Sequence, residues 1–139
     1  MALPEELVEY AEALLARNPP PNEVEIRAAV SRAYYGAYHA CTEFEKALPF
    51  MGREIDRPGG VHERLVQRLG HPDVRLRADI NVLSRRLSAL LRQAREERER
   101  ADYRLAEKFS LSQADVAVIR ARRIIALVRG GLAALSIGP

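Results

Sequence analysis

The chain has 139 residues, enough for one domain with a buried core. With 47% apolar and 29% charged residues, its composition is that of a soluble folded protein and excludes a disordered one. A net charge of +3, carried by arginine apart from Lys46 and Lys108, permits a nucleic-acid partner without predicting one. No apolar run approaches the roughly 20 residues that span a bilayer, so no membrane partner is expected. The start Met1-Ala-Leu-Pro-Glu-Glu lacks the basic-then-apolar order of a secretion signal. The single Cys41 excludes an internal disulfide framework and is expected as a small buried thiol. Together these features predict a cytoplasmic protein.

In chain order, the first predicted helix runs from Pro4 to Arg17, with Glu5 and Glu6 in the turn where the helix dipole favours carboxylates. Asn18-Pro-Pro-Pro-Asn22 breaks it, and Asn22 with Glu25 forms a capping pair for a second helix over 23–48. Pro49 closes that helix, and a Gly/Pro-containing loop leads through Gly59-Gly60 to a short third helix over 61–69. A long fourth helix is expected from Asp73 to Ala101. A fifth begins at Ser110 or Ser112, each with a capping partner three residues on, and fades at Gly130-Gly131. No alternating β-branched stretch reads as a strand.

Periodicity adds how these helices pack. Ile26, Val30, Ala33, Ala37, Cys41, Phe44 and Leu48 make an unbroken apolar stripe on the second helix. Leu76, Ile80, Leu83, Leu87, Leu90, Leu91 and Ala94 do the same on the fourth. The fold class is all-α, an antiparallel bundle of four to five helices in a single domain over 1–139, with its core at 4–129 and a tail at 130–139.

The second helix also carries the most informative pair, Arg32 and His39. Seven residues is close to two helical turns, so both project from one face. On a wheel of about 100° per residue with Arg32 at zero, the apolar stripe centres near 145° and His39 falls near −20°. A fixed cation beside a titratable ring is the minimum equipment for handling a phosphodiester. Around the pair lie Ala28, Ala29, Tyr35, Gly36 and Ala40, small and aromatic where a solvated face carries Lys, Glu and Arg. Such a face meets a second surface: a symmetric copy of itself, or another helix of the same chain. Both remain open here.

The run Ser31-Arg32-Ala-Tyr34-Tyr35-Gly-Ala-Tyr38-His39-Ala resembles the signature helix of the HEPN family of small helical proteins. Arg98-Glu-Arg-Ala101-Asp102-Tyr103 is similar to that family's R-x-x-A-D-Y element, and the resemblance covers roughly residues 5 to 128. It implies a dimeric bundle, HEPN-like throughout, encoded in many relatives beside a minimal nucleotidyltransferase as a toxin–antitoxin pair. Active members are metal-independent ribonucleases with an R-x(4–6)-H motif at the dimer interface, a spacing that Arg32 and His39 satisfy. Ala33 follows the Arg where the most familiar toxin version is polar, and Cys41 stands where some relatives carry tyrosine.

On this reading His39 is the general acid or base, Arg32 holds the phosphate oxygens, and Tyr35 stacks on a base or orients the phosphate. Arg98, one helical turn beyond Ala94, is expected to turn inward and pair with Asp102. That pair either closes the helix end, with Tyr103 anchoring the next loop, or orients Arg32 and His39 from behind. Glu5, Glu6, Glu9 and Glu12 read as a solvated face, and the run Arg95 to Arg100 as an exposed helical tail. Arg120, Arg122, Arg123 and Arg129 offer a weak phosphate-tracking strip. His62 and His71 have no companions spaced as metal ligands, and there is no Gly-rich phosphate loop, so neither metal nor cofactor is expected. The rival readings are a non-catalytic helical interaction module and a nucleotide-binding accessory subunit.

Overall fold

The computed structural model describes residues 2–55 and 58–137. Among them the order is α1 (Pro4–Leu15), α2 (Glu23–Ala47), α3 (Val61–Gly70), α4 (Ala78–Tyr103) and α5 (Leu111–Ser136), with no strand. The all-α expectation holds. The α2 helix touches all four others and forms the spine of the bundle. Its start is the expected capping box: Asn22 accepts from the Glu25 amide while the Glu25 carboxylate takes the Asn22 N–H. Ser110, not Ser112, caps α5, by the same exchange with Gln113.

The core follows the two stripes. Ala33, Ala37, Cys41 and Phe44 of α2 pack with Ile80, Leu87 and Leu91 of α4 and with Val118, Ile124 and Val128 of α5, while Ile26 and Val30 pack with Ala101, Phe109, Ala114 and Ala117, all buried. Burial also pushes the Cys41 thiol well above its ordinary pKa, so it stays a packed, protonated side chain.

Two boundaries differ from expectation. Residues 73 to 77 are a turn in which the Asp73 carboxylate takes the Arg75 amide and guanidinium, so α4 begins at Ala78. The α5 helix does not fade at Gly130-Gly131 but runs on to Ser136. Gly131 is buried there, and a Cβ would sit 2.6 Å from Leu83 Cδ2 and 2.9 Å from Phe44 Cε1. This glycine is a close-approach residue, not a terminator.

Polar side chains tie the helix ends together. The buried Arg27 of α2 reaches the end of α4, donating to the carbonyls of Arg100 (3.2 Å), Ala101 (2.9 Å) and Arg104 (3.3 Å), and to that of Glu107. One guanidinium therefore closes the end of α4 and the turn that follows it, and pins both to α2. Ser84 and Ser88 of α4 donate to Leu69 O and Val66 O, each at 2.7 Å, and do the same for α3.

Candidate functional site on the α2 face

Three facets of α2 behave differently. The first is the core stripe. The second, which holds the small residues, is covered by α1: a Cβ on Gly36 would lie 2.8 Å from Pro4 O and 3.1 Å from Val8 Cγ2. A helix of the same chain therefore meets the small-residue side. The third facet keeps Ala28, Arg32 and His39 exposed, with Tyr35 and Tyr38 half-buried beside them.

Tyr35 connects the two motif residues. The Arg32 guanidinium lies over its ring at 5.5 Å, and the His39 imidazole is 6.4 Å from it between centroids. Among the described residues neither Arg32 nor His39 makes a hydrogen bond or an ion pair. Their polar atoms are uncommitted.

The opposite wall comes from α4. Arg98 turns inward as expected: Nη2 donates to the Tyr35 hydroxyl at 3.2 Å, and Nε is 3.3 Å from Asp102 Oδ2, though not aligned for a hydrogen bond. Ser31 Oγ donates to the same Asp102 oxygen at 3.3 Å. The Arg98 guanidinium also lies 5.5 to 5.7 Å from the rings of Tyr34, Tyr35 and Tyr103. The Arg98–Asp102 pair thus closes the helix end and reaches α2 through Tyr35 and Ser31. Tyr103 is 69% exposed, so it does not anchor the following loop by burial. That role falls to Arg27 and to Phe109, which is buried beneath the Arg27 guanidinium.

Sequence reasoning missed His62. The first turn of α3 places its ring 4.2 Å from Tyr38 in a stack and 6.1 Å from Tyr35, while Nδ1 meets the buried Tyr34 hydroxyl at 2.6 Å. Burial, then Arg98, Arg95 and His39, hold its pKa below the ordinary imidazole value. Glu63 next to it is buried and takes Arg92 at 3.0 Å, with Arg95 at 3.6 Å, which braces this end of α3 against α4. The only signal in the sequence for a ring packed there is the run of tyrosines on α2, Tyr34, Tyr35 and Tyr38.

Three of the four α5 arginines are paired with carboxylates. Arg120 pairs with Glu97, Arg122 with Glu12, and Arg129 with Glu5 and Glu43. Of the four, only the exposed Arg123 makes no ion pair among the described residues, so the α5 arginines do not form a continuous free phosphate strip, and Glu5 and Glu12 are ion-pair partners, not merely a solvated face. The run Arg95 to Arg100 is likewise not a free tail, since Arg95, Glu97 and Arg98 contact α3, α5 and α2. Among the described residues no group of three or more His, Cys, Asp or Glu side chains is arranged to hold a metal ion, and no helix is long and apolar enough to cross a membrane. No protein-family model, curated protein or solved structure matches this chain.

Proposed function

We propose that this is a HEPN-type protein of the cytoplasm that binds RNA on the third facet of α2 and cleaves it without a metal, as a homodimer. Its biological setting on this reading is the toxin-type partner of a minimal nucleotidyltransferase antitoxin. The observation that carries the proposal is the pair of exposed, uncommitted groups, Arg32 and His39, sharing Tyr35 between them. An arginine without a carboxylate partner keeps its planar fork for two phosphate oxygens. An imidazole accepts and returns protons near neutral pH.

The chemistry needs no reactant beyond RNA. The 2′-hydroxyl attacks the adjacent phosphorus, the new P–O2′ bond forms as P–O5′ breaks, and the products are a 2′,3′-cyclic phosphate and a free 5′-hydroxyl. His39 takes the 2′-hydroxyl proton, while a protonated imidazole from the second copy gives one to the leaving O5′. Arg32 balances the charge that grows on the non-bridging oxygens. Tyr35, oriented by Arg98, offers a ring for a base and a hydroxyl for the phosphate.

The test is cleavage of a panel of labelled RNAs in EDTA by the wild type and by His39→Ala. Cleavage that disappears in a folded, dimeric mutant supports the reading. A folded wild type that cleaves nothing sinks it in favour of a non-catalytic interaction module or a nucleotide-binding accessory subunit.

A further inference from the structure

His62 is outside both motifs that suggested a function, yet it packs against the face that carries them. Its Nδ1 is 2.6 Å from the hydroxyl of Tyr34, which is 2% exposed. Burial pushes the Tyr34 phenol well above its ordinary pKa, so the hydroxyl keeps its proton and is able to donate it to Nδ1. A neutral imidazole that accepts at Nδ1 carries its own proton on Nε2. The ring is held neutral by partial burial and by Arg98 and Arg95, with His39 contributing.

Nε2 is the free end. Among the described residues it makes no hydrogen bond, yet it is not one of the buried polar atoms left unpaired, so it opens to solvent. The ring is stacked on Tyr38 at 4.2 Å, and the Tyr38 ring is 5.3 Å from that of His39. Arg98 lies over the rings of Tyr34 and Tyr35. The two imidazoles and the two arginines, Arg32 and Arg98, therefore all contact one cluster of tyrosine rings within a single protomer.

We propose that His62 is a phosphate-binding residue of this surface, offering Nε2–H to a phosphodiester oxygen of single-stranded RNA. Tyr34 is its positioning residue, since the hydroxyl selects the tautomer. The inference rests on the nucleic-acid reading of the α2 face but assigns His62 no proton transfer. A donor that stays neutral holds a phosphate without competing with His39 for protons.

The experiment uses the full chain and a single-stranded 2′-O-methyl oligoribonucleotide, which cannot be cleaved. Long-range ¹H–¹⁵N spectra of the free protein are expected to show His62 protonated at Nε2 only, with that resonance shifting as the oligonucleotide is added. Affinity is expected to fall roughly tenfold in His62→Phe, the ordinary worth of a hydrogen bond to a charged group. In His62→Gln, whose amide keeps a donor near the Nε2 position, most of it is expected to remain. Tyr34→Phe is expected to yield mixed tautomers and an intermediate loss. The opposite tautomer, unshifted His62 resonances, wild-type affinity in a folded His62→Phe, or no binding at all would overturn the assignment. Cleavage of unmodified RNA in EDTA separates the two proposals. Binding through His62 without cleavage removes the nuclease reading alone, and His39-dependent cleavage with unaltered binding in His62→Phe removes His62 alone.

Discussion

Arginines on the two sides of α2 are committed in different ways. Towards α1 and α5, Arg122 and Arg129 are locked onto Glu12, Glu5 and Glu43 in close ion pairs. Towards α3 and α4, Arg68, Arg92 and Arg95 are paired with glutamates, but Arg32 has only the face of Tyr35, and Arg98 gives one hydrogen bond to the Tyr35 hydroxyl with Nε 3.3 Å from a single Asp102 oxygen. A paired guanidinium must break its carboxylate contact before it can hold a phosphate, whereas one resting on an aromatic ring keeps its donors free. What distinguishes the sites is whether a guanidinium is already committed, not how many arginines a side carries.

The sharpest way to break the comparison is to remove one arginine from each side. Arg32→Ala is expected to lower RNA cleavage by roughly a hundred- to a thousandfold with the fold intact, the usual cost of losing a charge-stabilising donor. Arg122→Ala, exposed at its ion pair with Glu12, is expected to change neither cleavage beyond about twofold nor stability beyond roughly 0.5 kcal/mol. Equal effects in rate assays and denaturant titrations would erase the distinction between the two sides.

The next effect is on stability. Arg27→Ala removes the guanidinium that caps the last carbonyls of α4, and it is expected to cost about 2–4 kcal/mol in urea unfolding. Because Arg98 and Asp102 ride on that helix end, cleavage should fall as well, in step with the altered α4 terminus. Gly36→Ala is expected to cost less, about 1–2 kcal/mol. The gain in helix propensity is outweighed by a Cβ 2.8 Å from a backbone oxygen of α1.

The smallest effects separate the two sides by pH. His62 has a lowered pKa in the folded state, so the unfolded chain binds its proton first. Its contribution is present above the ordinary value of 6.5 and is lost as pH falls from there. Glu5, held down to about 2 by its hydrogen bonds to Arg129, contributes above its ordinary 4.5 and loses that contribution only as pH falls below it. Thermal melts are therefore expected to weaken in two steps. His62→Gln should flatten the upper step and Glu5→Gln the lower; a single step unchanged by either substitution would contradict this division.

Much of the fold was legible residue by residue. Asn22 with Glu25 and Ser110 with Gln113 announced two helix starts, because capping depends on neighbours in sequence. The apolar stripe of α2 announced its core side for the same local reason. The α4 start was misread because Leu76 continues the stripe while its backbone belongs to the Asp73 turn, so periodicity ran past the helix. The end of α5 was misread because Gly131 is required by Phe44 and Leu83, which are distant in the chain. In the candidate site, the exposure of Arg32 and His39 followed from the helical wheel, and the inward turn of Arg98 from its spacing. No local pattern pointed to His62 or Arg27, whose partners lie far away in sequence.

The sequence by itself determined that this chain is helical, where most helices begin, and which face of α2 is buried. Those properties are set within a few turns of one helix, where residues three and four apart already meet. Only the tertiary structure decided which arginines are spent on carboxylates and which are left free. It also decided that α1 covers Gly36, that Arg27 closes α4, and that α3 delivers His62 to the tyrosines of α2. Each of these depends on distance between helices, a quantity that packing alone sets.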